Sequence, residues 1–283
     1  MSKYIYTIAL CLTSLTLFGQ TKIWDTFEGT RVMNNHSTEM LYKKNLEFII
    51  AHKFGDIAGD NGGIQNFYGF DNVADVRFAF EYGVTNDFAI GFGRSKGVGP
   101  LNQVLDGYLK YRLLQQEKDG MPVSLTFVSS MASTYRKASE DSTSAVFYNS
   151  VLERFIFTNQ ILVSKKVNSK LSLQVNVGYN HRNLVAFNDV NGLLFTGGVV
   201  RYRFTERVGI LAEYNRIWNR SKTSFQKDPL SFGLELITGG HNFTLVLSNS
   251  KGINENIFIP NTSSDWLKGQ FRFGFSINRK FKL

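Results

Sequence analysis

One cysteine and four prolines stand in 283 residues. Cys11 has no second cysteine to pair with, which excludes a disulfide-stapled scaffold. Charged residues make up only 19%, below the roughly 25% of an ordinary soluble domain, while aromatics reach 14%. Disorder needs the opposite balance and is excluded. The 25 glycines follow no three-residue period, so a collagen-like chain is excluded too. His36, His52, His181 and His241 stand too far apart to suggest a local metal site. No cofactor is implied. After residue 20 no apolar run approaches the 18 residues of a membrane-spanning helix.

What is present begins with an export leader. Lys3 supplies a positive start, Tyr4 to Phe18 is largely apolar, and Gly19 offers a cleavage point. The expected division is therefore 1–19 signal peptide, 20–44 an N-terminal periplasmic or lumen-packing segment, and 45–283 a transmembrane barrel. Cleavage near Gly19 removes Lys3 and Cys11, taking the formal charge from +9 to +8.

Beyond the leader, apolar and polar residues alternate with period two, the mark of strands with two unlike faces. Leu171, Leu173, Val175, Val177 and Tyr179 alternate with Ser172, Gln174, Asn176, Gly178 and Asn180. Phe271, Phe273, Phe275 and Ile277 alternate with Gln270, Arg272, Gly274 and Ser276. The pattern predicts twelve strands, at 45–54, 75–83, 88–95, 104–113, 122–132, 150–163, 171–180, 193–204, 208–216, 229–238, 241–249 and 267–279. Their connections alternate: long at 55–74, 96–103, 133–149, 181–192, 217–228 and 250–266, short at 84–87, 164–170, 205–207 and 239–240, and medium at 114–121.

Short turns at one end and long loops at the other are the layout of an antiparallel up-and-down outer-membrane barrel. A secreted β-sandwich also alternates, but gives no reason for long-short alternation through eleven connections and has shorter strands. Aromatics gather near the strand ends: Tyr82, Phe88, Tyr111, Tyr202, Phe204 and Phe281 toward the short turns, and Phe54, Phe92, Tyr179 and Tyr214 toward the long loops. Two such girdles flank the apolar band of a membrane barrel.

The run Thr26-Phe27-Glu28-Gly29-Thr30-Arg31-Val32-Met33-Asn34-Asn35, with Leu46-Glu47-Phe48 and His52-Lys53-Phe54-Gly55, resembles the opening of an uncharacterised family of β-barrel proteins from Gram-negative outer membranes. Glu81-Tyr82-Gly83, Gly91-Phe92-Gly93-Arg94-Ser95 and Asp106-Gly107-Tyr108-Leu109-Lys110-Tyr111-Arg112-Leu113 extend the resemblance through residue 113. It implies fold and location. It implies no activity and carries over no catalytic, cofactor or metal residue.

Strand parity then assigns the lumen lining: Arg77, Glu81, Asp106, Lys110, Arg112, Arg154, Arg201, Arg203, Glu213, Glu235 and Arg272, with Glu47, Lys53, Asp75 and Lys268 on the same faces. Two readings stay open. Opposite charges pair and close the interior, or they line a narrow pore for small polar or anionic solutes, with Arg112, Arg154, Arg201, Arg203 and Arg272 biasing it toward anions. Twelve strands fall between eight, which side chains fill, and sixteen, which leave a channel. Trp24 and Phe27 argue that residues 20–44 pack under the barrel or enter it.

Other motifs give less. Gly91, Gly93 and Gly97 imitate a phosphate loop, but Lys96 interrupts the spacing and no helix follows; relief of crowding inside a barrel accounts for them. His52 shares a face with Phe48, Ile50 and Phe54, a packing position. Asp56, Asp60 and Asn61 miss the spacing of a calcium loop. Glu213 to Arg220 faintly resembles an outer-membrane phospholipase segment, yet no His is followed two residues later by Ser, so an enzyme is not expected. The expected partners are membrane lipids and lipopolysaccharide, a small solute, or another envelope protein. Basic residues scattered along strands do not suit nucleic acid.

Overall fold

In the computed structural model, which describes residues 21–99, 101–222 and 224–283, twelve antiparallel strands close into one barrel. They are β1 (Asn45–Asp56), β2 (Val73–Gly83), β3 (Phe88–Val98), β4 (Leu101–Leu114), β5 (Ser124–Thr134), β6 (Phe155–Lys166), β7 (Leu171–Arg182), β8 (Gly192–Arg203), β9 (Val208–Ile217), β10 (Leu230–Thr238), β11 (His241–Ser248) and β12 (Arg272–Lys282). Each pairs with its sequence neighbours, and β1 closes on β12 from Asn45↔Lys282 to Asp56↔Arg272. Closure leaves no strand edge unpaired, the condition for crossing a bilayer with strands. The expected leader at 1–19, with Cys11, lies outside the described residues.

Alternation in sequence becomes alternation in space. In β7, Leu173, Val175, Val177 and Tyr179 face outward and are exposed, while Ser172, Gln174, Asn176 and Asn180 face inward and are buried. The outer surface carries the aromatic contacts expected of it: Phe48 stacks on Phe80, and His52 lies parallel to Phe275 at 5.6 Å. Phe92 sits in the middle of this apolar band rather than near its long-loop rim, because β3 runs on to Val98.

That extension corrects one expected loop. Residues 96–103 are mostly strand, and β3 and β4 pair out to Val98↔Leu101. Gly97 (φ 83°) and Gly99 (φ 59°) lie in the left-handed region, which glycine enters without a Cβ penalty. A side chain at Gly97 would strike the carbonyl of Leu101. The other long connections remain, at 57–72, 135–154, 183–191, 218–229 and 249–271.

Two segments leave the wall and enter the lumen. Residues 21–44 start at the short-turn end, where Ile23 N–H donates to the Gln116 carbonyl (2.8 Å), and return there, where Lys44 N–H donates to Gly83 O (2.8 Å). Between these anchors Thr26 to Leu41 are almost continuously buried. The final long connection, 249–271, folds inward from the opposite end and carries helix α1 (Glu255–Asn261). Asn254 caps α1, its side chain accepting from Ile257 N–H.

Candidate functional site

The lumen is the candidate site, and its contents follow from what inward wall positions offer. At its tip the N-terminal segment turns back as a hairpin, with Arg31 bridged to His36 and Val32 N–H donating to Asn35 O (3.0 Å). This turn points three successive backbone N–H groups one way. Met33, Asn34 and Asn35 all donate to the Glu213 carboxylate at 2.9–3.3 Å, and the Asn34 side-chain amide adds a fourth donor. A buried carboxylate is tolerable only when so surrounded. Glu47 holds the hairpin stem similarly, accepting from Thr30 Oγ1 at 2.5 Å and Thr30 N–H at 3.2 Å.

Apolar packing completes the seat. Phe27, Val32 and Met33 of the hairpin meet Val199, Leu211 and Val246 of the wall. On the other side, Phe258 and Ile259 of α1 pack on Leu193, Phe195 and Ile217, and Ile257 packs on Val104 and Ala132. Full burial of side chains this size stabilises by roughly 1.5–3 kcal/mol each.

The two inserted segments meet in the middle. Arg31 Nη2 lies 2.6 Å from Glu255 Oε2, both side chains nearly inaccessible, and His36 N–H donates to Glu255 Oε1 at 2.8 Å. Gln160 of the wall donates to the same carboxylate. Two cavities border this junction, one beside Arg31 and Arg77, the other beside Met33 and Lys53. Each measures about 10 Å³, at most a single water's worth of space.

Most wall charges named from parity are buried and engaged. Arg77 grips Asp106 through two bonds, Nε to Oδ1 at 3.1 Å and Nη2 to Oδ2 at 2.5 Å. Asp106 also accepts from Asn254 of the inserted loop (2.9 Å). Glu81 accepts from Tyr108 Oη, and Lys110 donates to the Thr30 carbonyl of the hairpin (3.1 Å). Arg201 pairs with Glu235 (2.5 Å), while Arg203 reaches Glu28 of the hairpin (3.2 Å). Arg112 donates to Asp87 and Asn86 at the short-turn mouth, with Trp24 stacked 4.9 Å from its guanidinium. Arg272 donates to Asn249 O and Ser264 Oγ, and Lys53 to Ser250 and Gly252 of the inserted loop.

Two expected inward positions are not in the wall. Arg154 closes a 3₁₀ turn at Val151–Arg154, before β6 begins, and its guanidinium stacks over Tyr148 in the long loops. Lys268 lies in another such turn, Trp266–Lys268. Parity fails at both because these residues lie outside the pleat.

Reading parity alone misses Glu255, Arg31 and the inward apolar patches. A signal for the patches exists: Leu193, Leu194 and Phe195, then Val199 and Val200, are apolar on both faces of β8. A strand apolar on both faces needs an apolar partner in the lumen. Ile253 to Pro260 supplies it from a connection that a solvated loop would leave polar.

The Glu213–Arg220 segment is used structurally. Asp228 receives Tyr214 Oη (2.9 Å), Arg216 Nη1 (2.8 Å), Ile217 N–H (3.1 Å) and Arg220. Among the described residues, no group of three or more His, Cys, Asp or Glu is placed to hold a metal.

The family model described as a membrane bound beta barrel domain (DUF5777) matches residues 27–281. Among solved structures the chain is similar to the NanC porin, at 10% identity and TM-score 0.50, covering 84% of this chain and 100% of that one. The KdgM porin gives 10% identity and TM-score 0.50, covering 84% and 99%. The COG4313 outer membrane channel from Pseudomonas putida F1 gives 13% and 0.52, covering 87% and 98%. At such identities the likeness is one of fold. No curated protein matches the chain in sequence.

Proposed function

The chain belongs to the membrane bound beta barrel domain family (DUF5777), and from that premise we propose that it is an outer-membrane channel for small polar solutes that rests closed. The observation carrying this reading is the path of the hairpin. It enters and leaves at the same end, so it can withdraw without unpairing a strand. Its seat is largely polar, and exchanging such hydrogen bonds for water costs about 0.5–1.5 kcal/mol each, or about 1.5–3 kcal/mol where one partner is charged. Withdrawal would uncover Glu47, Lys110, Arg201 and Glu213, a wall suited to hydrated solutes. Export through a leader ending near Gly19 and contact of the apolar band with outer-membrane lipids and lipopolysaccharide belong to the same proposal.

A second reading is a permanently closed structural or partner-binding envelope barrel. It is favoured by the Arg31–Glu255 contact, which ties the two inserted segments together. Planar-bilayer recording separates them. The channel reading expects a near-silent full chain and steady conductance steps once residues 26–41 and residues 253–261 are both replaced by short Gly-Ser linkers. A folded replacement variant that stays silent overturns it in favour of the closed barrel.

A further inference from the structure

Above the stoppered lumen, at the long-loop end, lies a cavity of about 630 Å³ that neither inserted segment fills. This size falls within the 300–1,000 Å³ of small-molecule sites. Loops 135–154, 183–191 and 218–229 wall it, and Asn261, the last residue of α1, borders it below. Phe147, Tyr148, Phe155, Leu184 and Phe225 make the lining largely apolar.

Its charges are unequal in their situation. Arg182 is paired with Asp189 at 2.9 Å. Glu153 is occupied by the backbone and side-chain amides of Asn149, at 2.7 and 3.2 Å. Arg154 is different. Its guanidinium lies 4.8 Å from the centre of the Tyr148 ring, and Nη1 donates to the Arg136 carbonyl at 2.8 Å. Those contacts orient the fork without neutralising it, and among the described residues Arg154 forms no ion pair. The cavity therefore presents one positioned guanidinium without an ion-pair partner against aromatic walls, while the Glu153 carboxylate of the same lining is turned to the Asn149 amides.

We propose that this cavity binds a small amphiphile with one anionic group, a carboxylate on an aromatic or short aliphatic body. The anion sits on Arg154, and the hydrocarbon lies against Phe147, Phe155 and Phe225. A bare inorganic anion would leave the apolar wall unused, and a neutral sugar would leave the cation unanswered. The planar guanidinium matches a carboxylate with two parallel donors. Because the site lies outside the stopper, binding needs no open lumen and stands apart from conduction.

Calorimetric titration of the full chain in lipid nanodiscs tests it, with naphthalene-2-carboxylate as probe, naphthalene-2-methanol as its neutral counterpart and empty nanodiscs as blank. Saturable one-to-one binding of the carboxylate is expected. Arg154→Gln should weaken it about 10-fold, the loss of one charge-assisted contact, and leave the alcohol unchanged. Phe225→Ala, on a different loop, should weaken both probes and keeps the test open if the first variant misfolds. Equal carboxylate affinity in the wild type and Arg154→Gln would overturn the proposal. So would heats that match empty nanodiscs.

Discussion

Arg31 and Glu255 stand 224 residues apart in sequence and 2.6 Å apart in space. One belongs to the hairpin that enters from the short-turn end, the other to the helix that enters from the long-loop end. Their contact makes two independent stoppers into one body. Removing one partner leaves the other charge buried and unpaired, a loss of roughly 3–5 kcal/mol. Glu255→Ala should therefore lower stability in urea titrations of the bilayer-embedded protein by about that amount. The double variant Arg31→Met with Glu255→Leu removes both charges and should recover most of the loss. If the double variant is as unstable as the single, the pair is not what joins the two inserted segments.

Glu213 is the second fastening, and it holds backbone rather than side chain. Three consecutive amide N–H groups, of Met33, Asn34 and Asn35, converge on it. Glu213→Ala should free the hairpin tip and leave the barrel intact. Hydrogen exchange at those three amides is expected to accelerate by roughly 100-fold, about the value of a charge-assisted hydrogen bond set against water. Exchange at the β6–β7 ladder should not change. Equal acceleration in both places would mean the wall itself depends on Glu213.

How much of this was legible beforehand depended on periodicity. Leu171 to Asn180 announces a strand because its two faces meet different media, lipid and lumen. The same logic placed Arg77 with Asp106 and Arg201 with Glu235 on inward faces. It fails at Arg154, where the β6 pleat has not yet begun, and at 96–103, where Gly97 and Gly99 permit a tight hairpin instead of a loop. Strand parity says nothing about what fills a barrel. Arg31 and Glu255 carry no periodic signal, since one lies before the first strand and the other in a connection. Their meeting depends on chain paths, and only the apolar double face of β8 hinted that something would pack there.

Glycine placement inside the wall makes a test of crowding. A Cβ on Gly91 would enter the Tyr108 ring, and one on Gly93 would meet the Arg77–Asp106 pair. A Cβ on Gly107 would find only the Gly91 carbonyl, at an ordinary 3.7 Å. Gly91→Ala and Gly93→Ala should each cost about 1–3 kcal/mol through overpacking. Gly107→Ala should stay within about 0.5 kcal/mol of wild type. Urea midpoints for the three variants check the ranking. A reversed order would show that the lumen face of β3 admits a methyl group more easily than the outward face of β4, where Gly107 lies.

Asp228 anchors the 218–229 loop and gives it a pH dependence. Burial pushes its carboxyl up, but the Ile217 N–H, the Tyr214 hydroxyl and the Arg216 and Arg220 guanidinium groups outweigh burial and hold it below the ordinary 3.8. A carboxyl depressed in the folded state adds stability above its unfolded value. That stability is lost as pH falls through the folded value. Asp228→Asn should thus be less stable than wild type at pH 7. The gap should persist down to about the unfolded value of 3.8 and close only below it, as the native carboxyl takes up its proton. Urea midpoints of both proteins between pH 7 and pH 2.5 trace this. A gap that is already closed at pH 5 would remove Asp228 as the group responsible.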